Sequence, residues 1–289
     1  MNITEHNLEE DKKIKADLTR DLEKINFRKS ANSTEFHRFW EMLYTLVARD
    51  IKSRSRQAFL GYLWVILEPL LATGVFTILF QNVLHLRLTE EIPYPVFVFS
   101  GMILWRYFSS GLAESAGSLI GNYNLITQVH FPRKVLVLYP IISKLVDFGI
   151  TFILLVLVLL LFAIPLKWTV FFVSMPLLLT MMLIYGLGLF SAPVNVAGRD
   201  ISKVISVVLG FFLYATPVLY PVTLISAQYR SWYFLNPIAV IVEGFRGFLL
   251  GSGQPPLWAW GVTVGVTLVL LLLGNMVFDR FETVLADVI

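Results

Sequence analysis

Six long apolar runs constrain this chain more than any other feature of its sequence. They lie at about 59–80, 96–116, 141–164, 170–194, 201–220 and 258–278, and about 20 apolar residues are needed for a helix to cross a bilayer. Only 15% of the residues are charged, against about 25% in soluble proteins, and the mean hydropathy is +0.71. We therefore predict an all-α integral membrane protein with about six transmembrane helices.

The residue types that are missing exclude several kinds of chemistry. The sequence contains no cysteine, which excludes disulfides, thiolate metal sites and thiol nucleophiles. Its four histidines are scattered, so we predict no metal site, and no nucleophile–base pair is evident, so we predict no catalytic residues. No Gly-Lys pair occurs, so the chain has no GxxxxGK[ST] loop with which to bind nucleotide phosphates.

The first apolar run is preceded by a long polar region. Residues 1–32 are rich in both signs of charge, an arrangement unlike that of a cleavable secretory signal, and we predict that they lie in the cytoplasm. Residues 33–56 begin with capping residues and carry Phe36, Trp40 and Tyr44 at helical spacing, which predicts an amphipathic helix in the membrane interface. The alternative is an amphipathic helix that packs on a cytoplasmic partner. The permease domain follows at 57–281, and 282–289 form a cytoplasmic tail.

The segment between the last two predicted spans is too apolar for an ordinary loop. Its most apolar part, 237–250, is only about 14 residues long, which is too short to span, so we predict a re-entrant or interfacial hairpin at the outer side. The segments assigned to the cytoplasm hold seventeen Lys and Arg residues and the outer segments four. This bias places both termini in the cytoplasm.

Charged residues inside the apolar segments are candidate functional residues. A dozen apolar residues of the first span contribute about −6 kcal/mol to insertion, whereas Glu68 costs about +3 kcal/mol, so Glu68 is tolerated but needs a protein or water neighbour. Lys144 and Asp147 are three residues apart, as are Glu243 and Arg246, and residues at this spacing pair on a helix. We therefore predict that these charges, Glu68 included, are either gate residues or structural locks. For Glu243 and Arg246 a role in binding headgroups is a further alternative.

Four blocks of sequence point to a known family. They are 56–64 with 68–70, 121–126 with 130–135 and 143–148, 216–221, and 235–238 with 243–246. In their order and spacing these blocks resemble the membrane subunits of type-2 ABC exporters for polysaccharides, especially the O-antigen (lipopolysaccharide) permeases, with capsule and teichoic-acid permeases as relatives. The resemblance covers residues from about 36 to 279, and the segment before residue 36 is longer than is usual in that family.

The resemblance implies a set of partners. We expect a homodimer of this chain in the bacterial inner membrane, two copies of a separate ATPase subunit that binds ATP and Mg²⁺, a lipid-linked polysaccharide substrate, no cofactor on this chain and no nucleic acid. The amphipathic helix and a short helix from residue 131 to about residue 139 are expected to rest on the ATPase. Pro132 in the first turn favours a helix start there. The expected coupling residues are Arg49, Arg54, Phe131, Pro132, Arg133 and Lys134.

Aromatic residues on the first and fifth spans suit a sliding sugar polymer, because sugars stack on aromatic rings through their C–H surfaces. In the family that this chain resembles, these two spans are canal walls, which implies that the following residues line the canal: Tyr62, Trp64, Phe76, Phe211, Phe212, Tyr214 and Tyr220. The alternative is that these rings face lipid or form an interfacial belt.

Two other functions compete with export driven by a separate ATPase. A proton-coupled secondary transporter of a lipid or sugar needs carboxylates near mid-bilayer and often has inverted repeats; Glu68, Glu114 and Asp147 are the available carboxylates, and no repeat is visible in the hydropathy. A membrane-embedded glycosyl- or acyltransferase needs an acid/base constellation, and none is evident in the sequence.

Overall fold

The computed structural model describes residues 35–57, 63–83, 92–128, 131–198 and 200–288. It divides into residues 1–41 and residues 42–289. Helix α1 (Glu35–Gln57) begins in the first unit, where the ring of Trp40 contacts the rings of Phe36 and Phe39 edge to face. The predicted charged segment 1–32 lies outside the described residues.

The described elements of the second unit are all helical, as predicted. After α1 come α2 (Leu63–Thr77) with a π-helical end (Ile78–Val83), α3 (Tyr94–Gly121), α4 (Tyr123–Gln128), α5 (Lys134–Leu161), a 3-10 helix (Trp168–Val173), α6 (Ser174–Ala197), α7 (Ile201–Ala215), a 3-10 helix (Val222–Leu224), α8 (Ala227–Tyr233), α9 (Pro237–Leu250) and α10 (Leu257–Val288). Among the described residues, five helical segments are long and apolar enough to cross a membrane: Leu63–Gln81, Tyr94–Gly121, Lys134–Leu161, Trp168–Ala197 and Leu257–Glu282.

The predicted fifth span is shorter than expected. Helix α7 ends at Ala215 rather than near Tyr220, and its 15 residues cover about 22 Å of a hydrocarbon layer about 30 Å thick. The cause is Pro217, because a proline disfavours the helical conformation in the residue before it. Thr216 accordingly takes an extended conformation, with φ −101° and ψ 142°.

A sharply bent helix pair occupies the segment for which an outer hairpin was predicted. Helices α8 and α9 meet at 104°. The bend is stabilised at Asn236, whose side-chain oxygen accepts a hydrogen bond from the backbone N–H of Ile238 at 3.1 Å, and Pro237 supplies the first residue of α9. Both features are typical of helix starts.

The predicted short helix from residue 131 to residue 139 is wrong. Lys134 starts α5, which continues without interruption through Pro140 to Leu161. Helices of membrane proteins tolerate internal prolines because neighbouring groups satisfy the freed backbone, so Pro140 does not end this helix. The short helix of this connection is instead α4, which lies before residues 131–133.

Helix α3 forms the centre of the bundle. Of the most apolar 18-residue stretch of this helix, 78% is buried inside the protein. The helix packs against α2, α5, α6, α7 and α9. Pro93 precedes it and Pro95 lies in its first turn, where a missing backbone N–H costs nothing. The outward faces of α2, α5, α6 and α10 carry exposed apolar side chains such as Leu71, Leu157, Leu178 and Leu272, as expected for contact with lipid.

Glycines bring α6 and α10 into close contact. A Cβ atom on Gly186 of α6 would lie 2.8 Å from the backbone nitrogen of Leu271, and one on Gly274 of α10 would lie 2.3 Å from the carbonyl oxygen of Gly186. Small residues are a common means of helix association in membranes, where packing replaces the hydrophobic effect as the driving force. The backbones of α6 and α10 can approach this closely only because these side chains are absent.

The α6–α10 contact yields a stability prediction. We expect Gly186→Ala to destabilise the protein by about 1–3 kcal/mol, because the new methyl group meets backbone rather than a movable side chain. Gly265→Ala on α10 is the matched control, since its Cβ meets nothing within 4 Å, and alanine favours the helix. Thermal unfolding of the detergent-purified protein measures both. Equal melting temperatures for the two variants would contradict the close contact.

Candidate functional site

Arg54, near the end of α1, binds carboxylates on three helices. Its Nη1 atom donates to Asp147 Oδ2 on α5 at 2.5 Å, and its Nη2 atom donates to Glu114 Oε2 on α3 at 3.0 Å. Nη2 also donates to Asp50, one turn earlier on α1. Arg54 therefore fastens the amphipathic helix to two membrane helices.

Lys144 on α5 joins the same group of charges. Its ammonium group lies 2.6 Å from Glu114 Oε1 and 3.6 Å from Asp147 Oδ2, so the predicted Lys144–Asp147 pair is present, and the contact with Glu114 is shorter. Ser143 donates to Asp50. We call these six residues the Arg54 network: Asp50, Arg54, Glu114, Ser143, Lys144 and Asp147.

A second ion pair lies beside the network. Glu68 on α2 binds Arg106 on α3, which supplies the protein neighbour predicted for Glu68. Asp50, Glu114 and Arg106 were not among the predicted site residues. The charges of Glu114 and Arg106 within an apolar run were the signal for those two, whereas Asp50 lies on a polar stretch of an amphipathic helix and carries no such signal.

A cleft of about 330 Å³ separates the Glu68–Arg106 pair from the Arg54 network. Its walls come from the end of α1 and from α2, α3 and α5. The indole of Trp64, 49% exposed, stands one turn before Glu68 on the α2 wall. The cleft is lined by Arg54, Trp64, Val65, Glu68, Pro69, Ile103, Arg106, Tyr107, Ser110, Lys144, Asp147, Phe148 and Thr151. We call it the polar cleft.

A second cavity of about 300 Å³ lies on the other side of Arg106, between α3 and α7. Three serines contribute to its wall: Ser109, Ser110 and Ser206. Arg106 and Ser110 line both spaces. These two residues of α3 therefore border one space on the α2 side and another on the α7 side of this helix.

The predicted canal aromatics fall in separate places. Trp64 lines the polar cleft, and Phe76 is half-buried against Phe80 at 6.3 Å between ring centroids. The predicted canal rings of α7 are exposed to solvent in this chain. Phe211 has the largest exposed fraction, 73%, and Phe212 and Tyr214 are exposed as well. Tyr62 lies outside the described residues, and a role of these rings in a canal stays a prediction.

Tyr220, the last predicted canal ring, belongs to the loop after α7. Its hydroxyl donates to the carbonyl oxygen of Tyr214 at 2.8 Å and lies 2.6 Å from the Tyr233 hydroxyl. Burial, and then the hydrogen bond with Tyr233, raise the pKa of Tyr220. Tyr220 therefore fastens the end of α7 to the last residue of α8, next to the bend of the α8–α9 pair.

Several of the predicted coupling residues bind their own chain. Arg49 Nη2 donates to Asn122 Oδ1 at 2.7 Å, and Lys134 lies 2.7 Å from Asp279 on α10. Phe131, Pro132 and Arg133 form the turn before α5. These contacts join α1 to the end of α3, and α5 to α10, at the end of the bundle predicted to be cytoplasmic.

Arg133 differs from the other basic residues at this end. Its Nη1 atom is buried and has no hydrogen-bond partner among the described residues. A buried donor without a partner costs about 1–3 kcal/mol, so Arg133 carries a local energetic cost in this turn.

At the opposite end, Arg246 on α9 organises the backbone around the end of α7. Its Nη1 atom donates to the carbonyl oxygen of Pro217 at 2.6 Å and lies 3.2 Å from Glu243 Oε1. Nη2 donates to the carbonyl oxygen of Val218, and the guanidinium lies 3.7 Å from the centroid of the Phe97 ring. Arg246 is fully buried. This environment supports the structural alternative for the Glu243–Arg246 pair.

Arg246 is expected to be essential for stability. Arg246→Met leaves the Glu243 carboxylate buried without its partner, which costs about 3–5 kcal/mol, and we expect a much lower melting temperature. Adding Glu243→Gln should recover part of the loss, because no unpaired charge then remains. Lys203→Met is the control, since its ion pair with Asp200 is more than 80% exposed and contributes little. Equal melting temperatures for Arg246→Met and Lys203→Met would refute the assignment.

The comparisons with known proteins agree on one family. Residues 41–250 match the family described as ABC-2 type transporter. The chain is 28% identical over 248 residues to an O-antigen export system permease protein of Myxococcus xanthus, covering 85% of this chain and 94% of that protein. It is 24% identical over 252 residues to one of Klebsiella pneumoniae, covering 86% and 95%. It is also 28% identical over 203 residues to a polysialic acid transport protein of Escherichia coli, covering 68% and 77%.

Proposed function

The chain belongs to the ABC-2 type transporter family, and on that premise we propose that it is the membrane subunit of an exporter of lipid-linked polysaccharide. The family match confirms the resemblance carried by the four sequence blocks. The observation that carries the proposal is the similarity, over most of the chain, to permeases named for O-antigen export and polysialic acid transport. The sequence has no phosphate-binding loop, which is why we assign ATP and Mg²⁺ to a separate subunit.

The proposed complex contains two copies of this chain and two ATPase subunits in the bacterial inner membrane, with both termini cytoplasmic. The excess of Lys and Arg in the segments around residues 12–56 and 133–134 supports this orientation. The exposed aromatic face of α7 supports a second copy, because rings such as Phe211 would line a canal between two α7 helices. The outer bent pair would then border the exit.

The Arg54 network supports a route for mechanical coupling. Arg54 holds α1 against Glu114 on α3 and Asp147 on α5, so a displacement of α1 by a partner acts on both membrane helices. Asn122 adds a second attachment through Arg49. Arg49 and Arg54 would then transmit motion through α1 rather than touch the ATPase themselves.

Co-purification with the proposed ATPase subunit from the same organism tests the function. We expect the two chains to purify as one complex that hydrolyses ATP, and cells that lack this chain to accumulate polysaccharide inside. The measurements are subunit stoichiometry, ATP hydrolysis and surface polysaccharide. Export that persists without ATP hydrolysis and follows the proton gradient would instead favour a secondary transporter.

Charge reversal at the turn before α5 tests where the ATPase docks. We expect Arg133→Glu to reduce co-purification of the ATPase while leaving membrane insertion intact, because this turn lies at the end of the bundle assigned to the cytoplasm. Lys134→Glu alone is ambiguous, since it also breaks the ion pair with Asp279. The swap Lys134→Asp with Asp279→Lys separates the two effects, because it keeps the internal pair. Normal ATPase binding by Arg133→Glu would remove this turn from the docking surface.

A further inference from the structure

Tyr94, at the start of α3, joins two parts of the chain that are distant in sequence. Its ring stacks on that of Phe80 at the π-helical end of α2, with 6.0 Å between the ring centroids and 23° between the ring planes. Its hydroxyl donates to the carbonyl oxygen of Leu219, in the segment after α7, at 2.7 Å. We infer that Tyr94 is a positioning residue for export, which ties the outer end of α2 to the outer end of α7 so that the two helices change position together.

Export requires parts of the bundle to move, and α2 and α7 bury little of their surface within this chain. Of the most apolar stretch of Leu63–Gln81, which contains α2, 11% is buried, and in α7 the buried residue is Leu209. The inference rests on the proposed function, from which the outer side is taken. It deepens that function because it names the contacts through which these two helices act on each other.

The outer half of α2 packs on the hydrophobic core through Ala72, Phe76 and Phe80. The rings of Phe76 and Phe80 lie 6.3 Å apart, and Phe80 is the one that continues to Tyr94. Phe80 belongs to a π-helical turn, Ile78–Val83, and such turns are frequent at functional sites. The stack on Tyr94 is therefore a place where a displacement of α2 reaches the start of α3.

The outer end of α7 is fixed by the segment that follows it. Val218 and Leu219 are fully or almost fully buried, although α7 itself is largely exposed. Arg246 binds the carbonyl oxygens of Pro217 and Val218, and Tyr94 binds that of Leu219. Hydrogen bonds in a buried, apolar setting are stronger than those in water. A displacement of Tyr94 therefore shifts the backbone at the end of α7.

Arg246 and Tyr94 hold this segment from different sides. The guanidinium of Arg246 lies 3.7 Å from the centroid of the Phe97 ring on α3, so Arg246 joins the segment to α9 and α3. The Tyr94 ring lies 6.5 Å from the same Phe97 ring and also stacks on Phe80. Among these contacts of the described residues, the stack of Tyr94 on Phe80 is the one that continues to α2.

Two substitutions break this connection at different contacts. Tyr94→Phe removes the hydroxyl that binds Leu219 and keeps the ring stack, whereas Phe80→Leu removes the stack and keeps the hydroxyl. If the two contacts act in series, breaking either one has the same effect, and the double variant has no larger effect than the single variants. Contacts that stabilise the fold independently of each other give effects that add.

A cysteine introduced after α7 reports on the position of this segment, because the chain has no cysteine of its own. Leu224→Cys places the thiol at an exposed position shortly after Leu219. Each variant is prepared as the complex with the ATPase in lipid nanodiscs, and the rate of maleimide labelling is measured without nucleotide. Melting temperature, ATP hydrolysis and polysaccharide export are measured for the same variants.

We expect Phe80→Leu and Tyr94→Phe to change the labelling rate of Leu224→Cys in the same direction and at least about threefold, which corresponds to the loss of one hydrogen bond. The double variant should label at the rate of the single variants. Each variant should also export less polysaccharide per ATP hydrolysed, by a similar factor, while ATP hydrolysis is retained. A purely structural defect would lower export, hydrolysis and melting temperature together.

Matched controls remove the same kinds of contact elsewhere in the bundle. Thr169→Val removes a hydroxyl that donates to the carbonyl oxygen of Phe248 at 2.7 Å, near the end of α9. Phe152→Leu removes a ring that stacks on Phe148 at 5.8 Å between centroids. Neither contact joins α2 to the segment after α7, so we expect both controls to keep the wild-type labelling rate and the wild-type export per ATP.

The inference is overturned if the effects of Phe80→Leu and Tyr94→Phe add in the double variant, or if the controls have equal effects. Phe80→Met, which also lacks the ring, replaces Phe80→Leu if that variant does not assemble with the ATPase.

The two readouts separate this inference from the proposed function. If the wild-type complex exports polysaccharide in an ATP-dependent manner and Phe80→Leu changes neither labelling nor export, only the connection through Tyr94 fails. If labelling shows the non-additive effect and no ATP-dependent export occurs, the connection between α2 and α7 stands and the proposed function fails.

Discussion

The cost of an ionised side chain in an apolar layer determines how this chain is built. At the centre of a spanning helix a single charge costs about 3 kcal/mol by insertion scales, so each charge needs a partner at its own depth. Lys144 lies about 15 Å along α5 from its first residue, and it is stabilised there by Glu114 of α3 and Asp147 of its own helix. Arg54 of α1 forms ion pairs with the same two carboxylates and with Asp50. The pairing of charges thereby dictates which helices touch.

The need to pair each buried charge is met in different ways at the two ends of the bundle. Arg246 is fully buried. Its guanidinium donates hydrogen bonds to the carbonyl oxygens of Pro217 and Val218 and to the carboxylate of Glu243. The backbone after α7 is thus held as one piece with α9, and Tyr94 adds a further hydrogen bond to the carbonyl oxygen of Leu219. The Arg54 network instead borders an open cleft, and its side chains remain partly exposed.

Sequence reasoning predicted the helices better than their ends or their partners. Long apolar runs gave five spans close to their observed bounds, because burial in a bilayer depends on composition. The end of α7 depends on one conformation, that of Thr216 before Pro217, and the continuity of α5 through Pro140 depends on neighbouring helices. The i,i+3 pairs could be predicted from spacing alone. Contacts such as Arg54–Glu114 and Glu68–Arg106 join residues distant in sequence, and no local pattern encodes them.

The distribution of packing indicates which parts can move. Helices α6 and α10 are held backbone to backbone at Gly186 and Gly274, and α3 is buried in the centre. By contrast, only 11% of the most apolar stretch of Leu63–Gln81, which contains α2, is buried. In α7 a single residue, Leu209, is buried. These two helices, which bury little of their surface within this chain, flank Arg106, which lines the cavities on both sides of α3. A movement of α2 or α7 therefore changes the size of a polar space without disturbing the tightly packed core, as a conduit for a hydrated polymer requires.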